Sequence, residues 1–111
     1  MKAFIPRKGD FISVTFDRQS GHEQKGRRPA LVVSNTLFNE HTGLAIVCPL
    51  TTTHRGYPFH VAALGNPDVK GFVMVEQVKS IDYRARQAKS IGKASEDLLD
   101  EVLSILDACI Y

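Results

Sequence analysis

The sequence predicts a mostly β, α+β fold: a small, twisted, partly closed barrel of antiparallel strands with a short inserted helix and a C-terminal helix. Three observations predict it. Apolar residues recur in short runs rich in β-branched side chains and bounded by proline or glycine, the pattern of strands. Only the final segment carries a helical period. Five or six short strands in 111 residues cannot stay flat and protect two long edges, so the sheet must curl.

In "DFISVTF" the residues Ile12, Val14 and Phe16 alternate with Phe11, Ser13 and Thr15, which gives a first strand with one face in the core. "ALVVS" from Ala30 and "LAIVCPL" from Leu44 are continuous apolar runs, too short for helices, bounded by Pro29, Gly43 and Pro49; both read as buried strands. Between them, "NTLFNEHTG" offers Ser34 or Asn35 as an N-cap, one or two helical turns and Gly43 as a stop. "FHVAAL" and "GFVMVEQV" supply two more strands around the turn signal "GNPDVKG", and "YRARQAKSIG" another short one. Leu98, Leu99, Val102, Leu103, Ile105, Leu106, Cys109 and Ile110 then recur at helical spacing. Ser95 caps that helix, and Glu96 and Asp97 sit where its dipole favours negative charge.

A chain of 111 residues with 43% hydrophobic content holds one core, so residues 1–111 are expected to form one domain. No apolar run approaches the roughly 20 residues of a membrane span, and "MKAFIPRKGD" is too short in apolar residues for a secretory signal. A cytoplasmic protein with no membrane partner is the expectation. The two cysteines, Cys48 and Cys109, lack metal-ligand spacing and read as two small buried hydrophobes. Charge is uneven: all 14 Lys and Arg fall at or before Lys93 against seven acids, leaving that body at +7, while Glu96, Asp97, Asp100, Glu101 and Asp107 make the tail acidic. A basic body suits a polyanion or an acidic protein segment.

Three stretches carry polar chemistry. In "GHEQKGRRPALVVS", Arg28 stands at the mouth of a strand whose direction Pro29 fixes, beside a polar loop from Asp17 to Arg27. A guanidinium is planar, permanently charged and matches phosphate oxygens, although a salt bridge to Glu23 is the structural alternative. His22 in that loop has the ordinary pKa of a general acid or base, or is simply exposed. In "PLTTTHRGYPF" the hydroxyls of Thr51 to Thr53 end a buried strand, where they can donate to a phosphoryl oxygen or cap their own turn. In "EQVKSIDYRAR", an extended segment would point Arg84 and Arg86 to one side with Tyr83 as a stacking candidate, a pattern suited to single-stranded nucleic acid. Nothing matches a P-loop, a zinc site or a GxSxG elbow, and the four histidines are scattered. No metal or cofactor is called for.

Taken together, "GDFISVTFD", "GHEQKGRRPALVVS", "CPLTTT", "GYPF" and "EQVKSIDYRAR" resemble, in order and spacing, the MazF/PemK family of toxin endoribonucleases, also called the Kid family. The resemblance runs from about Gly9 to the final helix. It implies an SH3-like barrel, a homodimer, and metal-independent cleavage of single-stranded RNA to 2′,3′-cyclic phosphate and 5′-OH ends, restrained by a cognate acidic antitoxin. Arg28 and Thr51 resemble the central catalytic pair, with Thr51 donating to a nonbridging oxygen. With a pKa above about 12, Arg28 is better suited to stabilising the phosphorane than to moving a proton. Glu23 is then the candidate base for the 2′-OH, with His22 as the alternative base or as the acid for the leaving oxygen. Around them, the same resemblance assigns RNA contacts to Gln24, Lys25, Arg27 and Thr52. Further along the chain it adds Glu76, Gln77, Lys79, Arg84 and Arg86.

Two departures stand out. Many relatives carry Asp-Gln where this chain has Glu76 and Gln77, and some carry arginine where it has Met74. Two other readings remain open on sequence alone. One is a non-enzymatic toxin such as the topoisomerase-binding CcdB, which lacks the Glu-Gln loop and the Arg-Pro pattern. The other is a non-catalytic RNA-binding barrel.

Overall fold

The computed structural model describes residues 4–15 and 27–111. The strands are β1 (Asp10–Thr15), β2 (Arg27–Val32), β3 (Leu44–Thr51), β4 (His60–Ala62), β5 (Phe72–Met74), β6 (Lys79–Asp82) and β7 (Lys89–Lys93), with helices α1 (Thr36–Thr42) and α2 (Glu96–Ile110). All pairings are antiparallel. The sheet runs β4-β5-β3-β2-β1-β7, and β6 pairs the first half of β3 while β5 pairs its end. Among the described residues the sheet is not closed, since β4 and β7 remain its ends.

The expected strand over "GFVMVEQV" is broken. β5 stops at Met74, one 3₁₀ turn spans Val75–Gln77, and β6 begins at Lys79. The interruption lets the chain pair with two separate parts of the same long β3 edge, and the Val75 amide bonds the Phe59 carbonyl at 3.1 Å instead of continuing the ladder. The last expected strand also shortens: Tyr83 to Gln87 form a turn, and β7 starts at Lys89.

Both faces of the sheet are covered, which corrects the expectation of one buried face for β1. Phe11 packs with Leu31, Cys48, Leu50, Val73, Leu98 and Val102 under α2, whereas Ile12 and Val14 pack with Ala30, Val32, Val47, Ile81 and Tyr83 on the other side. The curl of the sheet makes that second face a core. Phe16, expected beside them, lies outside the described residues. Cys48 is buried in the first core as expected, and burial pushes its thiol up to about 12. Cys109 is exposed: it shares the helix stripe of the buried Leu98 and Val102 but lies in the last turn of α2, where residues 107–111 are all exposed.

Local signals place the helices. The Asn35 side chain accepts the Leu37 amide at 2.7 Å, and Gly43 ends α1 in the left-handed conformation that glycine adopts without a Cβ clash. Ser95 Oγ accepts the Leu98 amide at 3.1 Å at the start of α2. Among the described residues, no helix is long and apolar enough to cross a membrane.

Candidate active site

The register across the sheet decides which side chains meet. β2 begins at Arg27 and not at Ala30, so Arg28 and Pro29 belong to the strand, opposite Val14 and Ser13 of β1. Between β2 and β3 the last recorded rung is Ala30 with Pro49. Neither Pro29 nor Pro49 has an N–H to donate, which is the physical reason for the ladder to stop there. Arg28 and Thr51 lie two residues beyond that rung, at the adjoining ends of the two strands. Beyond it, Thr51 pairs with Phe72, and Phe72 with Ala62.

Residues opposite each other in antiparallel strands share a face. Val14, Arg28, Thr51, Phe72 and Ala62 therefore form one row on one side of the sheet, on the side away from α2. Arg28, Thr51 and Phe72 are each half-buried. Thr51 Oγ accepts the Thr53 amide at 3.2 Å, which fixes the hydroxyl oxygen through a lone pair and leaves its hydrogen to donate. Thr52 follows on the exposed chain. Three residues after Thr51, the His54 ring lies on the Phe72 ring, with centroids 4.9 Å apart and planes tilted by 35°.

Strand alternation sends the neighbouring arginines to opposite faces. Arg27 lies against β1: Nε donates to Ser13 Oγ at 2.8 Å, one terminal nitrogen to Thr15 Oγ at 3.3 Å, and the other to the carbonyls of Ser13 and Gln87. Four of its five N–H groups are thus used inside the protein. Arg86 joins the same strand end, accepting the Thr15 amide at 3.0 Å through its carbonyl and donating to the Thr15 carbonyl at 3.3 Å.

Other sequence candidates distribute as follows. Glu76 and Gln77 sit on the 3₁₀ turn that follows β5. Glu76 Oε2 meets Nε2 of the buried His60 at 2.9 Å. Burial, the largest influence on the Glu76 carboxyl, pushes it up. The hydrogen bond from His60, a backbone bond, the His60 charge and Gln77 more than offset this and hold it below 4.5. Lys79 is exposed on β6 and Arg84 on the following turn. Tyr83 is no stacking platform, because it is buried with its hydroxyl donating to the Asn39 carbonyl at 2.8 Å. Arg84 and Arg86 likewise do not lie on an extended segment. His22, Glu23, Gln24 and Lys25 lie outside the described residues.

Sequence reasoning passed over His54, His60 and Phe72. No spacing rule joins Thr51 to Phe72 or His60 to Glu76; only the β3–β5 and β4–β5 registers do. The residue types at "THRGYPFH" and "GFVMVE" gave a weak signal, an aromatic or imidazole clustering without a period.

A curled antiparallel sheet with a C-terminal helix laid against it defines the class, a small, mostly β, SH3-like fold, and here it carries a guanidinium and a hydroxyl on one face. Comparison with known proteins narrows the class. The family model for the PemK-like, MazF-like toxin of type II toxin–antitoxin systems matches residues 7–110, and the chain belongs to that family. It is 38% identical over 107 residues to the endoribonuclease toxin MazF of Escherichia coli (strain K12), covering 96% of each chain. It is 40% identical over 111 residues to the endoribonuclease toxin ChpB of the same organism, covering 93% of this chain and 92% of that protein. Among solved structures, a MazE–MazF crystal structure from Deinococcus radiodurans superposes with a TM-score of 0.89 at 39% identity, covering 97% of both chains.

Proposed function

We propose that this toxin is an endoribonuclease that cuts single-stranded RNA by metal-independent transesterification. The ribose 2′-OH attacks the adjacent 3′ phosphate, the P–O5′ bond breaks, and the products are a 2′,3′-cyclic phosphate and a 5′-OH. The observation that carries the reading is that Arg28 and Thr51 lie on one sheet face at the adjoining ends of β2 and β3. Thr51 donates its hydroxyl hydrogen to a nonbridging oxygen, and the permanent charge of Arg28 stabilises the dianionic phosphorane. Glu23 takes the 2′-OH proton, and His22 returns one to the leaving oxygen. RNA is held by the basic body, with Gln24, Lys25, Thr52, Gln77, Lys79, Arg84 and Arg86 as its contacts.

The endoribonuclease names of the relatives support the activity. The MazE–MazF structure supports a cognate antitoxin for this chain. An acidic segment that orders on the basic body fits the charge distribution. The toxin acts as a cytoplasmic homodimer, with Met74 and the α2 region at the subunit contact.

Incubation of a long single-stranded RNA with the protein in excess EDTA, followed by mapping of the cut ends, tests the reading. Cleavage at a recurrent motif with 5′-OH ends is expected. Arg28→Ala is expected to lose about 100- to 1,000-fold in rate, the usual loss for one oxyanion donor. Intact RNA with the folded, antitoxin-free protein would return the assignment to a binding barrel.

A further inference from the structure

We propose that Phe72, with His54 packed on it, is a stacking platform for a nucleobase flanking the scissile phosphate. The proposal rests on the RNA-cleavage reading of Arg28 and Thr51 and adds a specificity element to it.

Three observations converge. Phe72 is the direct cross-strand partner of Thr51 and points to the same side of the sheet, so the two side chains leave the backbone about 5 Å apart, as opposed residues do. A base is tethered to its phosphate by one ribose, and a phosphate held by Thr51 brings a flanking base over that ring. The ring is only half-buried and is already paired with an exposed imidazole at 4.9 Å, giving two π-faces that no core residue requires. Phe72 also borders a groove of about 520 Å³ lined by Ala62, Asn66, Lys70 and Gly71, among others. Lys70 is exposed on its rim and offers a cation to the next phosphate.

Stacking tolerates any base, yet its strength differs among bases, and the groove limits what can follow. The platform therefore favours large, strongly stacking bases at one position of the cut motif.

The chain contains no tryptophan, so Phe72→Trp places a single indole reporter on the platform. The probe is an oligoribonucleotide carrying the mapped cut sequence, with a 2′-deoxy nucleotide just 5′ of the scissile phosphate so that it binds uncut. Its binding is followed by the anisotropy of a terminal dye. Quenching of the indole on binding is expected, with the quench lost when one of the two flanking bases is replaced by an abasic residue. On the all-ribo substrate, Phe72→Leu is expected to lower kcat/KM about 10-fold, with no further loss on the abasic version. Anisotropy that reports binding while the indole stays unchanged overturns the platform, as does an equal loss by Phe72→Leu on intact and abasic RNA. Both failures leave wild-type cleavage standing. A wild-type protein that neither binds nor cuts RNA removes the underlying reading and the platform with it.

Discussion

A Cβ placed on Gly71 would stand 2.4 Å from the backbone carbonyl oxygen of Thr51, so the glycine and the threonine are in direct backbone contact across the β3–β5 pair. Gly71 also has φ +112°, a conformation that L side chains rarely adopt. The close approach sets where β3 ends and hence where the Thr51 hydroxyl stands.

Gly71→Ala must push the Thr51 carbonyl away or unpair Phe72. A displacement of about 1 Å at a catalytic group costs on the order of 100-fold in rate. The expected outcome is a loss of that size in kcat/KM with RNA binding largely kept, read by parallel cleavage and anisotropy assays. Wild-type kinetics in this variant would show that the strand end yields without moving the hydroxyl.

The two adjacent arginines are expected to behave differently. Arg27→Met keeps much of the side chain's reach but removes its bonds to Ser13, Thr15 and Gln87. A net loss of about 1 kcal/mol lowers the melting temperature by about 5 °C in a chain of this size. A cation that contacts an RNA phosphate contributes about 0.7 to the slope of log affinity against log salt. Arg27→Met is expected to leave that slope unchanged. A reduced slope with an unchanged melting temperature would return Arg27 to the RNA-anchoring role expected from sequence.

The parity of β2 explains why this division was not legible earlier. A strand starting at Ala30 leaves both arginines in a loop with no assigned face, whereas a strand starting at Arg27 sends them to opposite sides. Pro29 misled, because a proline reads as the boundary of a strand when here it lies inside one. By contrast, the caps at Asn35, Gly43 and Ser95 were readable, since each acts within a few residues of its partner. Arg28 and Thr51 were visible as candidates from their settings. Phe72 was not, because its relation to Thr51 exists only through pairing across 21 positions of chain.

Glu76 provides a pH-dependent test. Its carboxyl is held below 4.5, against the upward push of burial, chiefly by the His60 hydrogen bond. Because the folded-state value is depressed, the stabilisation is present above the ordinary value and is lost as pH falls through the folded one. His60→Leu removes the donor while filling the buried site. In a carboxyl NMR titration the Glu76 midpoint is expected below 4.5 in the wild type and higher in His60→Leu. Identical midpoints would show that the 2.9 Å contact does not hold the carboxylate.

Asn39 ties α1 to the segment before β1 and to the turn after β6. It is fully buried on the short helix α1, and its Nδ2 donates to the Pro6 carbonyl at 2.9 Å while its Oδ1 accepts from Ser34 Oγ. Ser34 Oγ in turn accepts the Ile46 amide at 2.9 Å, and Tyr83 donates to the Asn39 carbonyl. Asn39→Ala strands the Ser34 hydroxyl and the Pro6 carbonyl in an enclosed site, where each unsatisfied group costs about 1–3 kcal/mol. Tyr83→Phe removes one donor and costs about 1 kcal/mol. Urea unfolding is expected to rank wild type above Tyr83→Phe and both above Asn39→Ala, with the slope against urea unchanged. A reversed order would mean that water enters to satisfy the vacated partners, and that the hub contributes less to stability than the single tyrosine bond.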